Sequence, residues 1–333
     1  MMYRGRSAAS IENDQVRVTV LREGGHIAEI LHKASGVNPL WTPPWPSIEP
    51  SQYRPELHPE YGCNAESKLL SGIMGHNLCL DIFGGPSDEE AAAGLGVHGE
   101  GSVAAYDIRS SENSLRMAAC FPLAQIRFER RIELREMGIT IREAVESLAA
   151  FDRPIGWTQH VTLGPPFLEG GVTAFRASAT TSKAFEGVFG IADYLERGAT
   201  FDWPIAPSAG GSSADLSIFN CGAVSSAFTA HLMDPWQEDA FFSAFHPGLK
   251  LSFGYRWKRA DFPWMGIWEE NRSRRHAPWN GVTIARGMEF GVSPIPESRR
   301  QMIERGTLFG VPVYRWLPAY GRIEAAYSAG FTA

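Results

Sequence analysis

No stretch of about 18 apolar residues occurs in this 333-residue chain, and the opening "MMYRGRSAASIENDQ" has basic residues but no apolar core. Neither a membrane-spanning helix nor a secretory leader is expected, and the default location is cytoplasmic, with no membrane partner. No block of like charge appears either: 31 basic and 37 acidic residues are interspersed, for a net charge of -6. That balance argues against a nucleic-acid or anionic-membrane partner. Only four cysteines are present, Cys63, Cys79, Cys120 and Cys221, far apart and without a CxxC pair. A zinc knuckle and a disulfide scaffold are therefore not indicated, and the four are expected to be buried thiols. The chain also lacks GxSxG, HExxH, a P-loop and a complete GxGxxG. "GLGVHGEG" imitates a glycine-rich loop without the spacing or the following helix, and no histidine pair sits at helical ligand spacing in a convincing context. No metal and no cofactor is expected.

What is present is alternation. "QVRVTV" places Val16, Val18 and Val20 in one phase, and Gly24 and Gly25 turn the chain into "HIAEILHK". "AQIRFERRIELREMGITIREAVES" repeats the device, with Ile126, Phe128, Ile132 and Leu134 in phase and Ile139 and Ile141 returning after a turn. "LKLSFGYRW" sets Leu249, Leu251, Phe253, Tyr255 and Trp257 on one face. Helical signals are few: "SDEEAAAG" with a Ser87/Glu90 capping box, and "PESRRQMIERG" between Pro296 and Gly306. Short strands separated by Gly, Pro and Asn predict a single all-β domain over residues 1–333, an antiparallel sandwich with few short helices. "LWTPPWPSIEP" and "FDWPIAPSAGGSSAD" read as surface loops. Ten Trp offer flat apolar faces of the kind that pack on sugar rings, although core packing is the commoner use of Trp.

Polar residues in unusual settings mark the candidate site. "IGWTQHVTLGPPF" holds His160 inside a β-branched run, where strand propensity explains its neighbours but not the imidazole. "IARGMEFGVSPIP" sets Glu289 between Met288 and Phe290, and a carboxylate among apolar residues costs free energy unless it is paired. "GLGVHGEGS" places His98 between flexible glycines, and "SGIMGHNLCLDIFGG" offers His76 and Asn77. Each has an ordinary alternative as a hydrogen-bonded core residue or a solvent-facing side chain.

Taken in order, "GGHIAEILHKASGVNPLW", "VHGEGSVAAYDI", "GWTQHVTLG", "FPWMGIWEEN" and "RGMEFGVSP" together resemble the galactose mutarotase-like (aldose 1-epimerase) superfamily over most of the chain. The resemblance implies a β-supersandwich fold, a small-molecule sugar as ligand, and an isomerase of carbohydrate metabolism. It also implies His160 and Glu289 as the catalytic pair, with His98, His76 and Asn77 as substrate contacts. Asp234, in "HLMDPWQED", falls where the family often binds substrate, although a turn residue before Pro235 is the simpler reading. Trp268 or Trp264 would stack on the sugar. The chain departs from the galactose mutarotases where Val161, Thr162, Leu163 and Gly164 follow the central histidine, and where "GHN" stands for the usual Asn-Arg pair. Galactose specificity therefore does not carry over.

Exchange of anomers requires ring opening, in which a base takes the C1 hydroxyl proton while an acid protonates the ring oxygen. The resemblance assigns Glu289 as base and His160 as acid, with no cofactor. The competing class is a non-catalytic carbohydrate-binding sandwich, because fold does not fix function. The two are separated first by whether His160 and Glu289 converge on one pocket. An acidic sugar would find Arg272, Arg274 and Arg275, although a solvated charged loop is the commoner meaning. Nothing in the sequence sets an oligomeric state.

Overall fold

Alternation becomes pairing in the computed structural model, which describes residues 1–332 except 221 and 223. In the Ile126–Arg135 strand, Ile126, Phe128, Ile132 and Leu134 are buried while Arg127, Glu129 and Arg131 face solvent. The returning Gly138–Ser147 strand pairs with it antiparallel over ten residues. Repeated along the chain, such ladders build a twelve-stranded sheet and an eight-stranded sheet. Strands take 47% of the residues and helices 6%, far below the roughly one-third helix of an average globular protein, so this is an all-β, antiparallel sandwich.

The site depends on four neighbouring strands at the middle of the larger sheet: His76–Asp81, Arg153–Leu163, Ile284–Gly291 and Trp264–Asn271. Their inward phase (Leu78, Leu80, Trp157, Val161, Met288, Phe290) meets Ile132, Ile141, Phe253 and Tyr255 of the smaller sheet in one core. The Trp257 and Phe290 rings stack across the two sheets with centroids 4.1 Å apart. The Arg153–Leu163 strand is buried on both faces beyond its first two residues, because short helices and loops cover its outer side.

Two charged residues interrupt the core phase. Arg130 stands between Phe128 and Ile132, Glu143 between Ile141 and Val145, and the two are directly paired across their ladder. Both side chains are fully buried, with Arg130 Nε donating to Glu143 Oε1 at 2.7 Å. Arg130 also donates to the Gly25 carbonyl at 3.0 Å and to Gln159 Oε1 at 3.3 Å. Glu143 Oε2 accepts from Trp157 Nε1 at 3.0 Å and from Gln159 Nε2 at 2.6 Å, and Tyr327 donates to Oε1 at 2.7 Å. Burial pulls the Arg130 pKa down, but the Glu143 carboxylate and the neighbouring Tyr327 and Tyr106 more than offset this, so it stands above its ordinary value. His76 completes the cluster, with Nε2 2.9 Å from Gln159 Oε1 and Nδ1 3.2 Å from the Tyr255 hydroxyl.

Several sequence expectations are corrected. Cys79 is buried, but Cys63 and Cys120 are exposed, Cys120 because it falls in the solvent phase of the Ser114–Phe121 strand. Cys221 lies outside the described residues. The Pro-rich segment after Leu40 is not a mere surface loop, since Trp41 within it is 2% exposed. "FDWPIAPSAGGSSAD" contains a two-stranded ribbon, Ile205–Pro207 with Ser213–Asp215. The two expected helices are Asp88–Ala92 and Arg299–Arg305, each with a capping box, and a third, Ser67–Leu70, carried no signal recognised in the sequence. No helix among the described residues is long and apolar enough to cross a membrane.

Removing one partner of a buried ion pair strands the other charge, so Glu143→Gln should cost about 3–5 kcal/mol in urea denaturation. Adding Arg130→Met should return part of that loss, because it removes the stranded charge while the amide introduced at position 143 keeps hydrogen bonds to Trp157 and Gln159. A pH dependence follows from three histidines with no exposed surface. Burial, with nearby arginines, pushes His26 and His231 down to about 3, and His76 well below its usual value. Between those values and the ordinary 6.5 the unfolded chain binds more protons than the folded one, so stability falls as pH falls. Each histidine should contribute about 1.4 kcal/mol per pH unit below roughly pH 6.5, and urea midpoints measured from pH 8 to pH 4.5 should show this decline.

Candidate functional site

Directly opposite residues on neighbouring strands share a face. The register therefore lines up Asn77, His160, Glu289 and Gly266 in one row across four strands, all on the outer face of the larger sheet. Two glycines make room for the carboxylate. A Cβ on Gly287 would come within 2.3 Å of Glu289 Oε1, and one on Gly266 would meet Phe228 at 2.9 Å and Glu289 Oε2 at 3.5 Å. Glu289 is 2% exposed and His160 6%. His160 Nε2 stands 3.0 Å from Glu289 Oε1, an ion-pair separation without hydrogen-bond alignment, so Oε1 keeps no aligned partner. On its other side, His160 Nδ1 lies 3.1 Å from the Thr162 hydroxyl.

Above this row is a cavity of about 250 Å³, at the small end for ligand pockets and suited to a single ring. His160, Glu289, His98 and Trp268 all line it. The His98 ring centroid is 5.0 Å from that of His160, and the Trp268 ring is 6.0 Å away on another side. His98 has a positive φ of 66°, followed by Gly99 at 75°, where a Cβ would lie 2.2 Å from the Leu80 carbonyl oxygen. This tight bend turns the imidazole toward the cavity, and its Nδ1 donates to the Phe83 carbonyl at 2.5 Å. Although His98 keeps some exposed surface, protein packs around the ring, and that burial, reinforced by His160 and Arg274, pushes its pKa down to about 3. The ring is therefore neutral, with Nε2 free to accept a hydrogen bond.

Other expected contacts do not reach the cavity. His76 is one residue out of phase: it points into the inter-sheet core, and only its neighbour Asn77 shares the His160 face. Asn77 is fully buried beneath the cavity, with Nδ2 unpartnered, and it is not part of the wall. Asp234 is a turn residue, accepting from the Trp236 amide at 3.0 Å and from Gln237 Nε2 at 2.8 Å. Trp264 belongs to a separate cluster and donates to the Pro312 carbonyl.

Among the cavity's other lining residues are Trp41 and Trp279, which sequence reasoning did not assign to a site, and Arg274, which it weighed only as a contact for an acidic sugar. Trp41 and Trp279 stack at 6.2 Å and 13°, and the Arg274 guanidinium lies 4.7 Å from the Trp279 centroid and 5.5 Å from that of Trp268. The available signal was weak, an arginine and a tryptophan five residues apart in "RRHAPW". Among the described residues no group of three His, Cys, Asp or Glu side chains is placed to hold a metal ion. A larger groove of about 830 Å³ on the outside of the smaller sheet is lined by arginines, carboxylates and alanines, and it has neither a histidine nor an aromatic ring.

No family model matches the chain, and no curated protein matches it in sequence. Solved structures do match in shape. A galactose mutarotase-like protein from Lactobacillus casei superposes with a TM-score of 0.62 at 12% identity, covering 98% of this chain and 100% of that one. The chain has the galactose mutarotase-like fold. The GalM/aldose epimerase homologue from C. elegans gives 0.61 at 9% identity, over 98% and 99% of the two chains. The same fold occurs within a longer TPR-domain containing protein from Parabacteroides distasonis, with a TM-score of 0.55 at 12% identity over 98% of this chain and 47% of that one.

The His98 tautomer is a direct readout of the cavity's geometry. Long-range proton–nitrogen NMR should show a neutral ring protonated on Nδ1 down to about pH 4, whereas a solvated histidine would be half charged near pH 6.5.

Proposed function

We propose that the chain is a sugar mutarotase of the aldose 1-epimerase type, with Glu289 as the base and His160 as the acid. The observation that carries this reading is the convergence of His160 and Glu289, from adjacent strands, on the floor of a ring-sized cavity walled by tryptophan. Glu289 takes the proton of the C1 hydroxyl while His160 protonates the ring oxygen, and the C1–O5 bond breaks to give the open aldehyde. Rotation about C1–C2 and closure on the other face return both protons. For the acid role His160 carries a proton on each ring nitrogen, Nδ1 donating to the Thr162 hydroxyl and Nε2, on the Glu289 side, holding the proton delivered to the ring oxygen. Each step is a proton transfer, a rotation or the making and breaking of the C1–O5 bond, and none calls for a cofactor. The neutral His98 accepts from a sugar hydroxyl, and Trp268 offers its face to the C–H side of the ring.

The substrate in this reading is a neutral small sugar. Arg274 lies 3.7 Å from Glu270 and 3.8 Å from Glu66, so its charge is matched by carboxylates before any ligand arrives. A second reading, non-catalytic carbohydrate binding, has in its favour the occurrence of the fold as one part of a longer protein.

Saturation transfer between anomers, measured by NMR across a panel of aldoses, tests the proposal. Glu289→Gln keeps the shape but cannot accept the proton, and it should slow exchange by about 10²- to 10⁴-fold with sugar binding nearly intact. His160→Gln should act alike. Wild-type exchange in Glu289→Gln, on a sugar the protein binds, would put the non-catalytic reading first.

A further inference from the structure

The cavity mixes polar and apolar walls. His160, Glu289, His98, Glu66 and Arg274 supply its charged and polar groups, whereas Leu69, Leu70, Ile73, Val97, Phe83 and Phe228 form an apolar section of the wall. Leu69 and Leu70 come from the Ser67–Leu70 helix and are 4% and 3% exposed, so the aliphatic surface is packed in place. Leu69 and Val97 also line a second cavity of about 370 Å³, whose wall combines Val103, Pro122 and Leu123 with Lys68 and Glu100. The one arginine among the described lining residues is already faced by Glu66 and Glu270, and Glu289 adds a third carboxylate. A phosphate or carboxylate on the ligand would meet more negative than positive charge.

A common hexose has a hydroxymethyl group that must keep hydrogen bonds wherever it is buried. Against Leu, Ile, Val and Phe side chains it would lose them without replacement, whereas a methyl group in the same place loses none and gains apolar contact. We propose, resting on the sugar reading above, that the ligand of this site is a neutral 6-deoxy aldopyranose, whose methyl group sits against the Leu69, Leu70 and Ile73 wall.

The experiment compares matched sugars on the full chain: D-galactose with 6-deoxy-D-galactose, D-glucose with 6-deoxy-D-glucose, and L-mannose with 6-deoxy-L-mannose. Calorimetric titration reads binding and NMR saturation transfer reads exchange. At least one deoxy sugar should bind about 10- to 100-fold more tightly than its partner, the range an apolar pocket gives for one polar or methyl group. Val97→Thr, nearly isosteric at a half-buried position, and Leu70→Asn should each narrow that ratio by putting a hydrogen-bonding group into the wall. Equal or tighter binding of the hydroxymethyl sugars in every pair overturns the inference and leaves the mutarotase reading untouched. Tighter binding of a deoxy sugar without exchange supports the inference and removes the mutarotase reading. Binding of no sugar in the panel overturns both.

Discussion

The buried Arg130–Glu143 pair and the side chains hydrogen-bonded to it set the phase of the strand that carries the site. Along Arg153–Leu163 both faces are covered, so hydrophobicity alone does not decide which residues point inward. Gln159 decides it: its amide is held by Glu143 and Arg130 from the opposite sheet and by His76 from the neighbouring strand. With Gln159 inward, His160 must face outward, toward Glu289. A slip of one residue would send His160 into the core and bring Gln159 to the cavity. A polar network that is well satisfied rigidifies a core and specifies one arrangement, and here it does so immediately behind His160 and Glu289.

Outward of that row, the site is built from what is missing as much as from what is present. Gly266 and Gly287 leave the space that the Glu289 carboxylate fills, and a side chain at Gly287 would displace it. The tryptophans and the Ser67–Leu70 helix close the cavity from above, so His160 and Glu289 have little exposure to water. Electrostatics are stronger in such surroundings, which gives a small number of polar groups a large influence on a bound ligand. The fold itself permits many functions, and the functional reading rests on this constellation rather than on the sandwich.

Legibility in the sequence tracked locality. Period-two patterns, one capping box and one segment bounded by Pro and Gly are local, and they indicated the antiparallel sandwich and two of the three α-helices among the described residues. His160, Glu289, His98 and Trp268 drew notice because their settings were odd or because their motifs resembled a family, and all four line one cavity. Asp234 has the same chemistry as a ligand-binding carboxylate, yet its hydrogen bonds close a local turn. Arg130 and Glu143 drew no notice in the sequence, because a charge in an apolar phase acquires its meaning only once the register places it opposite its partner.

The sequence by itself determined the class of structure and the candidates for chemistry, because strand phase and turn residues act over a few positions. Only the tertiary structure decided which candidates meet. His76 and Asn77 are neighbours in the chain but point to opposite sides of the sheet, so one joins the core and the other lies under the site. Trp41, Trp279 and Arg274 come from segments far from His160 in sequence and reach the cavity through the packing of loops over the sheet face. Contacts of that kind depend on how distant segments fill space together, and no local pattern of residues encodes them.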